Sequence, residues 1–570
     1  MTKLLCAAVF LFAAALPAFA QNVFLELNLD NRSPQTAFRP AGGTHLDILR
    51  VIERAGADAR VDGIVLNLSA FSAGHEIKWE LRQALEEFRD TGKKIVAFIS
   101  TANLNMYYLA SVADKIVMDD QGTLMLLGYV WGRGYARNAL DRLGVGVREL
   151  RYFEYKSAAE TFTRAYLSEA DRRQYGEWLD DVMAVTRTAI TESRSMTTEE
   201  FYSIINTEFL FSARAALERG LVDATGRRSA VVDAVREVSG RELTGFVIFG
   251  ETGTGITGAT QIYPPGGGGG QRRRPVIAVI NAVGATDMDR GMSARTLART
   301  IDDVSRQRRV RAIVLRINSP GGSAEAADHI AEAVRSARTR VPVVVSMGGV
   351  AASGGYWAAM NADHITASPV TVTGSIGVIG TWFYDRGLNE RLGITVDTIQ
   401  RGNHADLMSG VILPHRDLNE AEQERFRRYI VDHYDAFVAR VAESRGMELE
   451  QAHAVAQGRI FSGIGALDSG LIDSIGGLAH AVAVARELAG IPQNQPVAFE
   501  QLPRPRFFDR LVASLSRMAV RHRAGITAPV TEAAMFMSDI FLPVWLAEDL
   551  RLRIANNGRV MPLLPMDGWQ

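Results

Sequence analysis

The chain is one unit written twice. Displaced by about 250 positions, Gly63-Ile64-Val65-Leu66-Asn67-Leu68 overlies Ala312-Ile313-Val314-Leu315-Arg316-Ile317. In nearly the same register Tyr107–Ile116 overlies Tyr356–Ile365, and Asp141-Arg142-Leu143-Gly144 overlies Glu390-Arg391-Leu392-Gly393. Phe211-Ser212-Ala213 and Gly220-Leu221-Val222-Asp223 overlie Phe461-Ser462-Gly463 and Gly470-Leu471-Ile472-Asp473. Within a copy, short apolar runs (64–68, 95–99, 116–118) alternate with amphipathic helical stretches (77–91, 135–143, 168–193). That alternation predicts an α/β fold with mainly parallel strands.

With 570 residues the chain exceeds a single core. Residues 250–274, with Pro264-Pro265, consecutive glycines at 266–270 and Arg272-Arg273-Arg274, read as a linker. They lack the Gly-Lys-Ser/Thr of a phosphate loop. The expected domains are therefore 21–249 and 275–500. Residues 501–570 follow as an extension with a basic amphipathic stretch (504–523) and an apolar one (535–545), suited to packing on a neighbour or a membrane surface. Met1-Thr2-Lys3, the apolar run 4–16 and Pro17-Ala18-Phe19-Ala20 have the layout of a secretory signal peptide cleaved after Ala20, or of a short anchor, so export from the cytoplasm is expected.

A net charge of −1 argues against a nucleic-acid partner. The single cysteine, Cys6, allows no disulfide framework or thiolate metal site, and the 10 histidines form no HExxH. No metal or cofactor is expected.

The stretch Ser346-Met347-Gly348-Gly349-Val350-Ala351-Ala352-Ser353-Gly354-Gly355-Tyr356-Trp357 follows the β-branched run Val343-Val344-Val345 and leads into a helical pattern. A serine between small residues at such a turn is accessible to a substrate backbone, and nearby amides can meet an oxyanion. In the first copy Leu104 stands opposite Ser353. Basic residues are mostly arginine, and lysine occurs only at 3, 78, 93, 94, 115 and 156. Arginine cannot act as a base near neutral pH, whereas a lysine buried among apolar groups can. Lys156, in Tyr152-Phe153-Glu154-Tyr155-Lys156-Ser157-Ala158, has Ala405 as its counterpart. One copy keeps a lysine without the serine and the other a serine without the lysine, the signature of a divided dyad. The aromatic residues 152, 153 and 155 would supply apolar cover. Lys78, Lys93, Lys94 and Lys115 read as solvated charges, and His364 and His404 are the alternative bases. Gly321-Gly322, in Ser319-Pro320-Gly321-Gly322-Ser323, lies between a buried strand and a helix at 324–337. Its amides, with that of Gly354, would form an oxyanion hole.

In Arg316–Ser323, Ser346–Trp357, Thr373-Gly374-Ser375-Ile376-Gly377 and Tyr155-Lys156-Ser157-Ala158 the sequence resembles the signal peptide peptidase A family, the long, duplicated form of bacterial protease IV. The similarity runs from about residue 62 to 490. It implies two tandem ClpP/crotonase-like domains of ββα units, with Ser353 as nucleophile and Lys156 as general base. It further implies that Ser375 orients the lysine and that Gly322 and Gly354 supply oxyanion amides. The resemblance also implies hydrophobic peptide substrates such as signal-peptide remnants, a periplasmic location at the cytoplasmic membrane, and a homotetramer. The competing readings are a crotonase-like acyl-CoA hydratase or hydrolase, which would need a carboxylate beside the amides, and an inactive scaffold, which would lack half of the dyad.

Overall fold

Two mixed sheets, one per sequence copy, organise the molecule in a computed structural model that describes residues 23–29, 44–69, 71–240, 246–247 and 274–503. The leader, nearly all of the linker and all but the first three residues of the C-terminal extension fall outside the described residues. The first sheet has the strand order Leu210–Ser212, Lys115–Met125, Lys94–Asn103, Val61–Asn67, Val23–Asn28, Phe246–Val247. The second runs Ile460–Phe461, Val372–Gly374, Val343–Ala352, Val310–Ser319, Val276–Val283, Ala498–Leu502. The central strands are parallel, as the alternation with helices requires. They are apolar on both faces because helices cover both.

The two sheets differ at one informative place. Lys115–Met125 is a single strand in the first copy, whereas its counterpart is split into His364–Ala367 and Val372–Gly374. The interruption holds Pro369, which has no N–H for a ladder. Lys115 and His364 each open a strand; His364 is hydrogen-bonded to Ser474 Oγ at 2.8 Å.

The helices start where their caps dictate. Ser168 accepts from the Asp171 amide at the head of Glu169–Arg194, and Asn419 forms a capping box with Glu422 at the head of Glu420–Arg445. The helix expected at 77–91 spans His75–Asp90.

Among the contacts that join the copies, two sets stand out. Strand Val145–Leu150 of the first pairs antiparallel with Gly380–Asp385 of the second, from Gly380↔Leu150 to Asp385↔Val145. Elsewhere, Glu80 of the first copy takes Arg316 at 2.7 Å and the Leu478 amide at 3.0 Å from the second, with His45 of its own copy at 2.8 Å. Helix Leu478–Leu488 then shares a continuous core with the first sheet's residues.

Candidate active site

Strand Val343–Ala352 delivers Ser353 to the head of a short helix, Gly354–Ala359. Ser353 has φ 56° and ψ −116°, a conformation rare for a residue with a side chain and costing about 1–3 kcal/mol. It is held there at both ends: its amide donates to Gly374 O at 2.8 Å, and its carbonyl accepts from Trp357 N at 2.8 Å. The first copy shows the relaxed form of this turn. Asn103 caps helix Leu104–Ala110 at φ −97° with an ordinary side-chain bond to the Met106 amide, and Leu104 is buried.

Lys156 arrives from the other copy. It follows the strand Val145–Leu150, whose partner Gly380–Asp385 begins just after Ser375, so the ladder between the copies carries lysine and serine toward each other. Lys156 Nζ lies 2.7 Å from Ser353 Oγ, 2.7 Å from Ser375 O and 2.9 Å from Ser375 Oγ. The lysine is 1% exposed, no carboxylate is among its hydrogen-bond partners, and burial holds its ammonium pKa well below the ordinary lysine value. Its cover differs from the aromatic one expected. Phe153 stacks on Tyr434 and, with Tyr152, packs on the second copy's core. The close neighbours of Lys156 are instead Gly377 and Gly458; a Cβ on Gly458 would stand 2.6 Å from Lys156 Cα.

The segment 319–323 closes the far side. Thr286 bonds both flanks of Gly322, donating to Gly321 O and accepting from the Ser323 amide, each at 2.8 Å. A Cβ on Gly354 would come 3.1 Å from Gly322 N, so the two expected amides are neighbours. As the first residue of its helix, Gly354 has an N–H with no intrahelical acceptor. The alternative bases lie elsewhere: His364 bonds Ser474, and His404 bonds Glu422 at 2.7 Å.

Against known families, the model described as peptidase family S49 matches residues 87–241 and again 335–492. The chain belongs to peptidase family S49. It is a serine peptidase of that family, with the family's domain present twice. A second model, Clp protease, matches residues 286–369. The chain is 32% identical to Protease 4 of Salmonella typhi over 86% of this chain and 79% of that one. It is 30% identical to the chloroplastic serine protease SPPA of Arabidopsis thaliana over 79% and 67%. A putative signal peptide peptidase SppA of Enterococcus faecium is 35% identical over 30% of this chain and 49% of its own. Among solved structures, ClpP1 of Listeria monocytogenes is similar at 18% identity and a TM-score of 0.23, covering 35% of this chain and 91% of that one.

Two features of this S49 peptidase were hidden in its sequence. Lys78, expected to be solvated, is buried on the face of helix His75–Asp90 turned to the core. It donates to Ala73 O at 2.7 Å, and burial lowers its pKa to about 8. The second is Gly349, in the serine-bearing strand. A Cβ there would press to 3.1 Å on the carboxyl of Glu76, so part of the Gly-rich signature serves packing between copies and not substrate.

Proposed function

We propose that this S49 peptidase works through a Ser353–Lys156 dyad divided between its two copies. The observation that carries the reading is the three-way coordination of Lys156 Nζ. A neutral amine has two hydrogens and one lone pair. Donating the hydrogens to Ser375 O and Ser375 Oγ leaves the lone pair for the Ser353 hydroxyl. Lys156 takes that proton as Ser353 Oγ bonds the scissile carbonyl carbon, and the carbonyl electron pair moves onto oxygen, facing the amides of Gly322 and Gly354. Collapse breaks the C–N bond, and the leaving amine takes the proton from Lys156. Water, deprotonated by the same lysine, then releases the acyl group.

The substrates are hydrophobic peptides, including signal-peptide remnants, in keeping with the putative signal peptide peptidase among the relatives. Export to the periplasm and association with the cytoplasmic membrane complete this reading. They rest on the sequence of the leader and the C-terminal stripe, since no described helix is long and apolar enough to span a membrane. The decisive assay is cleavage of an unstructured hydrophobic peptide. Ser353→Ala and Lys156→Ala are expected to lower kcat/KM by at least about 10³-fold. Full activity in either variant overturns the dyad. Carbonate extraction with N-terminal sequencing of the mature protein tests the location.

The homotetramer has a physical basis in the repeat. The counterpart of strand Val145–Leu150 is 394–399, which lies outside both sheets, and the counterpart of Gly380–Asp385 is 131–136, likewise unpaired. Exposed apolar side chains lie in the first region and at the edge of the second, with Ile399 92% and Val130 90% exposed. Pairing 394–399 of one subunit with 131–136 of the next repeats the internal ladder head to tail and closes a ring. Light scattering gives the subunit number, and a monomeric wild type, or an oligomer unaffected by Val130→Lys and Ile399→Lys, rules out this ring.

A further inference from the structure

Beside the dyad lies a polar group that peptide-bond chemistry does not itself require. Arg133 and Asp171 form an ion pair of 2.8 Å whose side chains are both 0% exposed. Arg133 Nη1 donates to Ser157 O at 2.8 Å, and Ser157 Oγ donates to Asp171 Oδ1 at 2.5 Å. Gln174 Nε2 donates to the same Asp171 oxygen at 2.8 Å and reaches Tyr155 O at 3.3 Å. The residues on both sides of Lys156 are thus gripped by groups from helix Glu169–Arg194 and the segment before residue 137.

Gln174 also faces the other way. Its Oε1 accepts the Ile460 amide at 3.0 Å, across the boundary between copies. The adjoining residues 457–459 frame the dyad: Gln457 O accepts from Tyr155 N at 3.1 Å, Gly458 N donates to Ile376 O at 2.8 Å, and Arg459 O accepts from Ser375 N at 2.6 Å. One amide side chain therefore joins the lysine's loop to the segment that fixes Ser375.

We infer that Arg133, Asp171 and Gln174 are positioning residues that lock the lysine loop against residues 457–460 and so set the Lys156–Ser353 distance. A buried ion pair is a poor source of net stability, since desolvating two charges offsets most of their attraction. Its directional bonds to Ser157 supply something a hydrophobic filler of equal volume lacks, a fixed backbone at residues 155–157. The same helix position in the second copy makes the contrast. Glu422, also third in a 26-residue helix, is turned to Arg416 and to its own cap residue Asn419, beside a loop with no lysine.

This inference rests on the dyad proposed above, and the experiment separates the two. Arg133→Gln, Asp171→Asn and the uncharged Gln174→Ala are compared with wild type and Lys156→Ala. For each, functional sites are counted with a serine-directed acylating probe. Per functional site, the three variants are expected to lose at least about tenfold in kcat with KM within about twofold. The acid limb of their pH profiles should move to higher pH, because a loosened loop admits water to the amine. Arg133→Lys should recover part of the loss. A per-site kcat and pH profile equal to wild type overturns the inference, and so does a loss explained wholly by fewer labelled sites. Activity retained by Lys156→Ala would overturn the dyad itself.

Discussion

At the residue scale the proposed dyad depends on one amine kept uncharged. Burial lowers the Lys156 pKa in the folded protein, so the neutral base accumulates as pH rises. The rate should climb with pH through that lowered value and then level off; a fall on leaving neutral pH toward pH 9 would contradict a lysine base. The same shift bears on stability. A lysine whose folded pKa lies below its unfolded value costs stability at low pH, and the cost fades as pH rises through the interval between the two. Lys156→Met should therefore raise the melting temperature at pH 6, with a smaller gain at pH 10, while abolishing activity. Gly458→Ala tests the cover. Its φ of 83° and the 2.6 Å approach to Lys156 Cα leave no room for a methyl group, so kcat and thermal stability should both drop, as melting curves and steady-state kinetics will read.

At the scale of elements, the ladder between Val145–Leu150 and Gly380–Asp385 brings the two residues of the proposed dyad together. The Tyr384 ring lies over Gly146, where any Cβ would collide with it. Gly146→Val should open this ladder and cost more in kcat than in melting temperature, because the two large cores are built mainly from residues outside it. Equal, large losses of both would mean that the ladder is mainly a source of stability. Most elements were legible beforehand. The helix read at 168–193 spans Glu169–Arg194, and that read at 324–337 spans Ala324–Arg338, because apolar periodicity and Ser caps are local signals. The ladder was not legible. Its residues pair across the two copies, and Glu149-Leu150 breaks the short alternation begun by Val145 and Val147.

Over the whole molecule, the ion cluster at Glu80 is a second fastening between the copies, separate from the ladder. Arg316 and His45 overcome the effect of burial and hold the Glu80 carboxyl at about 2. A carboxylate depressed in the folded state contributes stability that is complete above its unfolded pKa and is lost as pH falls toward the folded one. Glu80→Gln, which leaves Arg316 buried without its charge partner, should cost about 3 kcal/mol at pH 7. The deficit against wild type should shrink by pH 3, as melting at the two values will show. Glu76, close by, has its pKa raised by burial and so weakens the net pH dependence without reversing the sign for Glu80.

The sequence by itself determined that there are two α/β copies, that one carries Ser353 and the other Lys156, and that Leu104 and Ala405 stand in the empty counterpart positions. Those facts reside in residue types and register, which a linear pattern preserves. Only the tertiary structure decided how the halves meet: Lys156 Nζ placed 2.7 Å from Ser353 Oγ, Gly458 against the lysine backbone, and Arg133, Asp171 and Gln174 closed around its loop. These contacts join residues far apart along the chain, and their partners are glycines, backbone carbonyls and buried charges. Such groups have no periodicity of their own, so nothing short of the packed fold brings them into view.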